Sequence, residues 1–211
     1  MSEQNKIKKN IYNLKIILLG EGGVGKTNLI NAYFGNNFVE ERIATQKPNK
    51  SYDKVEIKDN ICYIDIWDTM GQEEYRSTTN SFIKGSHIII FVYDITNKKT
   101  FTELDYWVNK AKEEINTEKV IFGLAGNKID LFDNSQVEKE EGEEYAKKIL
   151  AYFCETSAKE NPQGFKKFVN KLVEKLFLNE NNITKEGSFI EKNEDNNIKL
   201  GDNQDKKKKC C

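Results

Sequence analysis

Residues 20 to 27 read GEGGVGKT, a G-x-x-x-x-G-K-[ST] pattern set between the apolar run KIILL and the stretch TNLINAYF. No other string constrains the fold as strongly. Its glycines let backbone N–H groups turn inward and approach phosphates without Cβ clashes. A strand has to end before the loop and a helix has to begin after it, because the helix N-terminus adds positive potential at the same point. Both flanks are present here. Gly22, Gly23, Val24, Gly25, Lys26 and Thr27 are therefore the candidate phosphate-binding segment. Lys26 is suited to the β and γ oxygens, and the Thr27 hydroxyl to Mg²⁺.

The rest of the chain alternates strand-like and helix-like segments. LKIILLG (14–20), IIIFVYD (88–94) and VIFGLAG (120–126) are short, apolar and β-rich, as strands buried on both faces are. SYDKVEI (51–57) and CYIDIWD (62–68) read as a hairpin around KDN. Phe101, Leu104, Trp107 or Val108, Ala111 and Ile115 recur at helical spacing, as do Phe165, Phe168, Leu172, Val173 and Leu176. This alternation predicts an α/β fold with a mainly parallel sheet covered on both faces. From about Asn179 the apolar periodicity stops, and the Asn-, Glu-, Lys- and Asp-rich remainder reads as a disordered linker. The expected division is an extension over 1–13, one domain over 14–178 and a tail over 179–211.

Composition narrows the function classes. The formal net charge is −1 with 32% charged residues, so no global field draws the chain to nucleic acid. The cysteines Cys62, Cys154, Cys210 and Cys211 show no C-x-x-C spacing, and the first two lie in apolar runs. That pattern predicts buried reduced thiols and no disulfides. The first ten residues, MSEQNKIKKN, lack the apolar segment of a secretory signal, and IIIFVY is far shorter than the roughly 20 residues that span a bilayer.

A phosphate loop leaves the base and the reaction open; ATPases, small-molecule kinases and GTPases share it. GNKID ends the strand VIFGLAG and supplies Asn127, Lys128 and Asp130. A carboxylate at Asp130 accepts from both N1–H and the 2-amino group of guanine. Adenine has no 2-amino group and an acceptor at N1, which would leave that carboxylate unpaired. Asn127 suits the purine N7/O6 edge, and the Lys128 stem can pack over the ring. ETSAK (155–159) follows the apolar run AYFCE and adds the Ala158 N–H as a donor for O6. WDTMGQE (67–73), again at a strand end, supplies Asp68 to Mg²⁺ through a water, the Gly71 N–H to the γ-phosphate and Gln72 to orient an attacking water.

These motifs, in this order and spacing, closely resemble a Ras-superfamily small GTPase, and within it a Rab. YRSTTNSFIKGSHIIIFVYDIT (75–96) resembles the Rab stretch after switch II, and the double-cysteine end resembles a Rab terminus. The match covers roughly 14 to 178 plus the C-terminus. It implies a six-stranded sheet with one antiparallel edge pair and five flanking helices. It implies slow GTP hydrolysis used as a timer, with GEF, GAP, GDI or escort and effector proteins as partners, by a monomeric domain on the cytoplasmic face of an intracellular membrane. It places Phe38, 12 residues after Lys26, against the guanine face, with Ser157 and Lys159 completing the base site. It makes Gln72, Lys26 and Thr45 the catalytic set and Thr27, Thr45 and Asp68 the metal set. Thr45 stands 19 residues after Lys26 and 23 before Asp68, matching the family from both sides.

The pattern breaks after Thr45. Rabs continue Ile-Gly-Val-Asp-Phe; this chain continues Gln46-Lys47-Pro48-Asn49-Lys50. Pro48 stiffens the loop and restricts Lys47 to extended geometry. Met70 replaces the usual alanine. Arg42 is the nearest arginine in switch I to serve as a built-in finger. Two other readings therefore stand beside the switch: a non-switching scaffold that holds GTP or GDP for structure, and an ATP-using kinase, which Asn127 and Asp130 disfavour. The chain ends DKKKKCC. The Rab resemblance implies geranylgeranylation of both Cys210 and Cys211. Two lipid chains give stable anchoring where one does not, and each nearby lysine adds on the order of 1 kcal/mol on anionic lipid. Position 208 is lysine, so the end is not a CaaX signal.

Overall fold

The computed structural model describes residues 10–40, 45, 47–57, 60–69 and 80–178. Six strands form one sheet: β1 (Asn10–Leu19), β2 (Asn49–Ile57), β3 (Asn60–Asp68), β4 (Ile88–Asp94), β5 (Ile121–Asn127) and β6 (Tyr152–Thr156). Their order is β2-β3-β1-β4-β5-β6. Only β2 and β3 run antiparallel, with Asn49 opposite Asp68 and Ile57 opposite Asn60; the remaining pairs are parallel. The expected architecture is thus present. β1 begins at Asn10, ahead of the strand read from Leu14, because Asn10 to Asn13 pair in register with Asn60 to Tyr63.

Helices α1 (Lys26–Tyr33), α2 (Asn80–Ile83), α3 (Lys98–Thr102), α4 (Leu104–Glu114), α5 (Lys139–Ile149) and α6 (Pro162–Leu178) flank the sheet. The stripe expected as one helix from Phe101 to Ile115 is two short helices. Asn97 caps α3 by accepting from the Lys99 N–H, and Ile115 ends α4 in extended geometry.

The strands' alternation sorts the core into two layers. Leu14, Ile16 and Leu18 of β1 and Ile88, Ile90 and Val92 of β4 face α1 and α6, meeting Phe165, Val169, Leu172 and Val173. Ile17 and Leu19 of β1 and Ile89, Phe91 and Tyr93 of β4 face α4 and α5, meeting Leu104, Trp107, Val108 and Ile149. Burial on both faces is why β4 and β5 read as unbroken apolar runs. Each such side chain contributes about 1.5–3 kcal/mol. Cys62 is buried and Cys154 half-buried, neither in a disulfide. Burial pushes the Cys62 thiol up to about 11 and raises Cys154 as well, so both are poor nucleophiles at neutral pH.

β1 is the strand from which the connections diverge, with β3 on one side and β4 on the other. In an open α/β sheet the crevice lies at the carboxyl ends of the strands beside such a switch point. Those ends here are Leu19, Asp68, Asp94, Asn127 and Thr156, and the phosphate loop, WDTMGQE, GNKID and ETSAK each fall at one of them.

Candidate guanine nucleotide site

The loop between β1 and α1 is closed by backbone that only glycine tolerates. At Gly20 (φ 150°) a Cβ would fall 2.2 Å from the Val92 carbonyl oxygen, and at Gly25 (φ 97°) 2.4 Å from Asn127 Nδ2. Helix α1 starts without an acidic residue in its first turn and without a side-chain cap. Its amide donors and positive dipole end are left for an incoming anion. Lys26 is 5% exposed, and its Nζ donates to the carbonyls of Gly20 and Glu21, each at 2.8 Å. Burial lowers its pKa from 10.5 to about 8, against the opposing pull of the Asp68 and Glu21 carboxylates. Val24 turns its side chain into the core and accepts at its carbonyl from Asn127 Nδ2 at 2.8 Å.

Three oxygens meet at the foot of this loop. The Thr27 hydroxyl donates to Asp68 Oδ2 at 2.6 Å and lies 3.1 Å from the Thr45 hydroxyl, which is 3.5 Å from the same carboxylate oxygen. The spacing argument for Thr45 therefore corresponds to a real convergence across 41 residues of chain.

At the other end, Asp130 lies in a 3-10 segment, Ile129–Asn134, and accepts at Oδ1 from the Ser157 hydroxyl at 2.6 Å. Ser157 Oγ also accepts from the backbone N–H groups of Lys159 and Glu160. Asn127 accepts from the Ala158 N–H at 3.3 Å while donating to Val24. Lys128 sits in left-handed backbone (φ 72°) with its Nζ 2.6 Å from Asp94 Oδ2, which points its stem along the cavity wall. Phe38, 38% exposed, lies opposite, with Lys159 Nζ 5.9 Å from its ring centre.

These groups share one cavity of about 360 Å³. Of the residues proposed from sequence, Gly22, Gly23, Gly25, Lys26, Thr27, Phe38, Thr45, Asn127, Lys128, Asp130, Ala158 and Lys159 line it; Val24, Asp68 and Ser157 hold the lining in place. Met70, Gly71, Gln72, Arg42, Gln46 and both terminal cysteines lie outside the described residues.

Some contributors were not singled out from sequence. Asn28 grips the backbone of Val39, accepting from its N–H and donating to its carbonyl. Glu40 pairs with Lys159 at 3.7 Å. Glu21, 6% exposed, accepts at Oε1 from the Trp107 indole N–H at 2.9 Å. Asp94 anchors Lys128 while its other oxygen accepts from Thr96. Only Asp94 carried a visible signal, a carboxylate closing the apolar strand IIIFVYD.

A Ras family model matches residues 15–178. The chain belongs to the Ras family, in its Rab branch. It is 33% identical over 201 residues to Ras-related protein Rab-18-B of Danio rerio, spanning 94% of this chain and 93% of that one. It is 37% identical over 166 residues to Ras-related protein Rab-18 of Lymnaea stagnalis, spanning 79% of this chain and 81% of that one. As a member of this family the chain is a small GTPase that binds GTP and GDP.

Lys26 makes a pH prediction. Held by protein groups alone, its ammonium has a pKa lowered to about 8, so at about pH 9 it is mostly neutral; polyphosphate beside it favours the charged form and restores the proton. Binding of GDP to nucleotide-free protein should take up about one proton near pH 9 and far less near pH 6.5. Calorimetry in two buffers of different ionisation enthalpy reads this directly. Buffer-independent heats at pH 9 would contradict it.

Proposed function

We propose that this Rab-like GTPase binds GTP across the cavity just described and hydrolyses it as a membrane-trafficking switch. The observation that carries the reading is the convergence of Thr27, Thr45 and Asp68 at one end of a cavity whose other end holds the Asp130–Ser157 pair. Asp130 accepts from N1–H and the 2-amino group of guanine, with Ser157 fixing its carboxylate. Asn127, Ala158, Lys128, Lys159 and Phe38 enclose the base. The N–H groups of the Gly22–Gly25 loop and of Gly71 receive the phosphates, and Lys26 moves from the carbonyl collar to their oxygens.

Two hydroxyls and a carboxylate are hard oxygen donors, and one carboxylate with two neutral oxygens leaves room for phosphate oxygens and water. That set fits Mg²⁺. Thr27 and Thr45 would hold it directly and Asp68 through water, where it would neutralise charge on the β and γ oxygens. Gln72 orients the attacking water. Low intrinsic turnover and dependence on an activating protein follow for this chemistry without an added arginine.

The scaffold reading rested on the residues after Thr45. Thr45 itself reaches the other two oxygen donors in spite of Gln46-Lys47-Pro48, and this favours the switch. No helix among the described residues is long and apolar enough to cross a membrane. Membrane attachment is assigned to the terminal thiols, with two prenyl chains and the lysines of DKKKKCC acting together.

Nucleotide extracted from the purified chain should be GDP or GTP. Recovery of adenine nucleotide would end the assignment of Asp130. Thr45→Ala should speed loss of bound GTP in the presence of Mg²⁺ by at least about tenfold relative to its effect on GDP, the scale of one charge-assisted ligand. Equal effects on the two nucleotides would remove Thr45 from the switch. The double variant Cys210→Ser, Cys211→Ser, expressed in cells, should move to the soluble fraction. If it still pellets with membranes, lipid on those thiols is not the anchor.

A further inference from the structure

Gly20 follows β1 in backbone that only glycine tolerates, with the Val92 carbonyl where a Cβ would stand. Beyond that turn the phosphate loop is fastened on both sides of the sheet. Val24 puts its side chain into the layer under α1 and α6. Glu21 goes the other way, to Trp107 of α4, in the layer under α4 and α5. The first fastening is ordinary packing. The second is a carboxylate, 6% exposed, that accepts at Oε1 from the Trp107 indole N–H at 2.9 Å.

Burying a carboxylate is unfavourable, and a hydrogen bond from a neutral indole offsets only part of that. Trp107 is itself fully buried in the same layer as Leu19, Phe91 and Leu104, so an apolar side chain at position 21 would serve packing as well. What the polar link adds is direction, because a hydrogen bond fixes one atom against another where apolar contact tolerates sliding. The residue it fixes is the one whose main chain begins the loop. The Glu21 carbonyl takes one of the two hydrogen bonds from Lys26 Nζ, at 2.8 Å, and the Gly22 N–H follows it directly. Trp107 lies 86 residues along the chain from Glu21, and among the described residues none of α4 lines the cavity. The bond therefore carries the position of α4 into a site that α4 does not reach.

We propose that Glu21 is a positioning residue for the nucleotide phosphates: anchored on the Trp107 indole, it sets the aim of its own carbonyl and of the Gly22–Gly25 N–H groups. Helix α4 thus takes part in holding nucleotide without touching it. If the indole N–H is removed, the carboxylate has to reach for water, and the loop has to shift to let it. Bound nucleotide forces the charge back into its buried place, and the penalty appears as faster release. A bond that served the fold alone would cost stability and leave release unchanged. The inference rests on the reading that this loop receives the phosphates.

The test follows release of fluorescent GDP from the full chain, with Mg²⁺ and excess unlabelled GDP, beside the thermal midpoint of the same GDP-bound protein. Trp107→Phe keeps aromatic bulk and removes the donor; release should be at least about tenfold faster. Glu21→Gln added to Trp107→Phe should slow release again by at least about threefold, because a neutral amide is less costly than a carboxylate to leave unpaired. Leu104→Ala, which removes core packing from the same helix, should lower the midpoint with less than about a twofold change in release. Release that tracks the midpoint across these variants overturns the proposal. So does unchanged release in Trp107→Phe, or a double variant no slower than Trp107→Phe alone. Lys26→Ala separates this inference from the reading beneath it. Fast release in Lys26→Ala with unchanged release in Trp107→Phe removes the role of Glu21 alone. Unchanged release in Lys26→Ala removes the loop as the phosphate site, and the proposal with it.

Discussion

Three loops meet at the side chain of Asn127. It is 2% exposed, donates to the Val24 carbonyl and accepts from the Ala158 N–H. One amide thereby ties the phosphate loop, the strand end that carries Asp130 and the loop that carries Ser157. The cost of losing it would exceed two hydrogen bonds, because buried polar partners would be left unsatisfied. It also explains Gly25: any side chain there would meet Asn127 Nδ2. The proposed base-reading and phosphate-holding halves of the site are thus tied to each other through one side chain.

Within that unit each polar side chain that the proposed reading assigns to the nucleotide or the metal, among the described residues, already rests on a protein partner. Lys26 rests on two carbonyls, Asp130 on a serine hydroxyl, and Thr27 on Asp68. Pre-organisation of this kind lowers the ordering cost of binding. For Lys128, its pairing with Asp94 and its left-handed backbone fix the stem as a wall of the cavity.

Much of this was legible in the residues. The phosphate loop, NKID and SAK advertise themselves because backbone approach to phosphate demands glycine and guanine discrimination demands a carboxylate, and both fall at the ends of apolar runs. The strands were legible because burial on two faces keeps β4 and β5 mostly apolar up to their last residues, Asp94 and Asn127. The break between α3 and α4 was not, since Phe101 and Ile115 keep helical spacing across it and both still pack on the core. Nor were Glu21–Trp107 and Asn28–Val39. These are pairings between residues distant in the chain, set by register and loop path rather than by any local pattern. Trp107 read as an ordinary core position, which it also is.

The antiparallel pair has a consequence of its own. β2 is an edge strand, bonded to β3 alone, whereas the phosphate loop and the loop that carries Asp130 spring from β1 and β5, inside a parallel block packed on both faces. An amino-acid exchange in β2 or the loop before it disturbs one margin of the sheet; an exchange in the block disturbs the layers that hold the molecule together. The molecule therefore has unequal evolutionary latitude on its two sides. A fold arranged in this way can carry a departure such as TQKPNK on its outward ribbon while the block that bears the phosphate loop and the Asp130 loop keeps its packing.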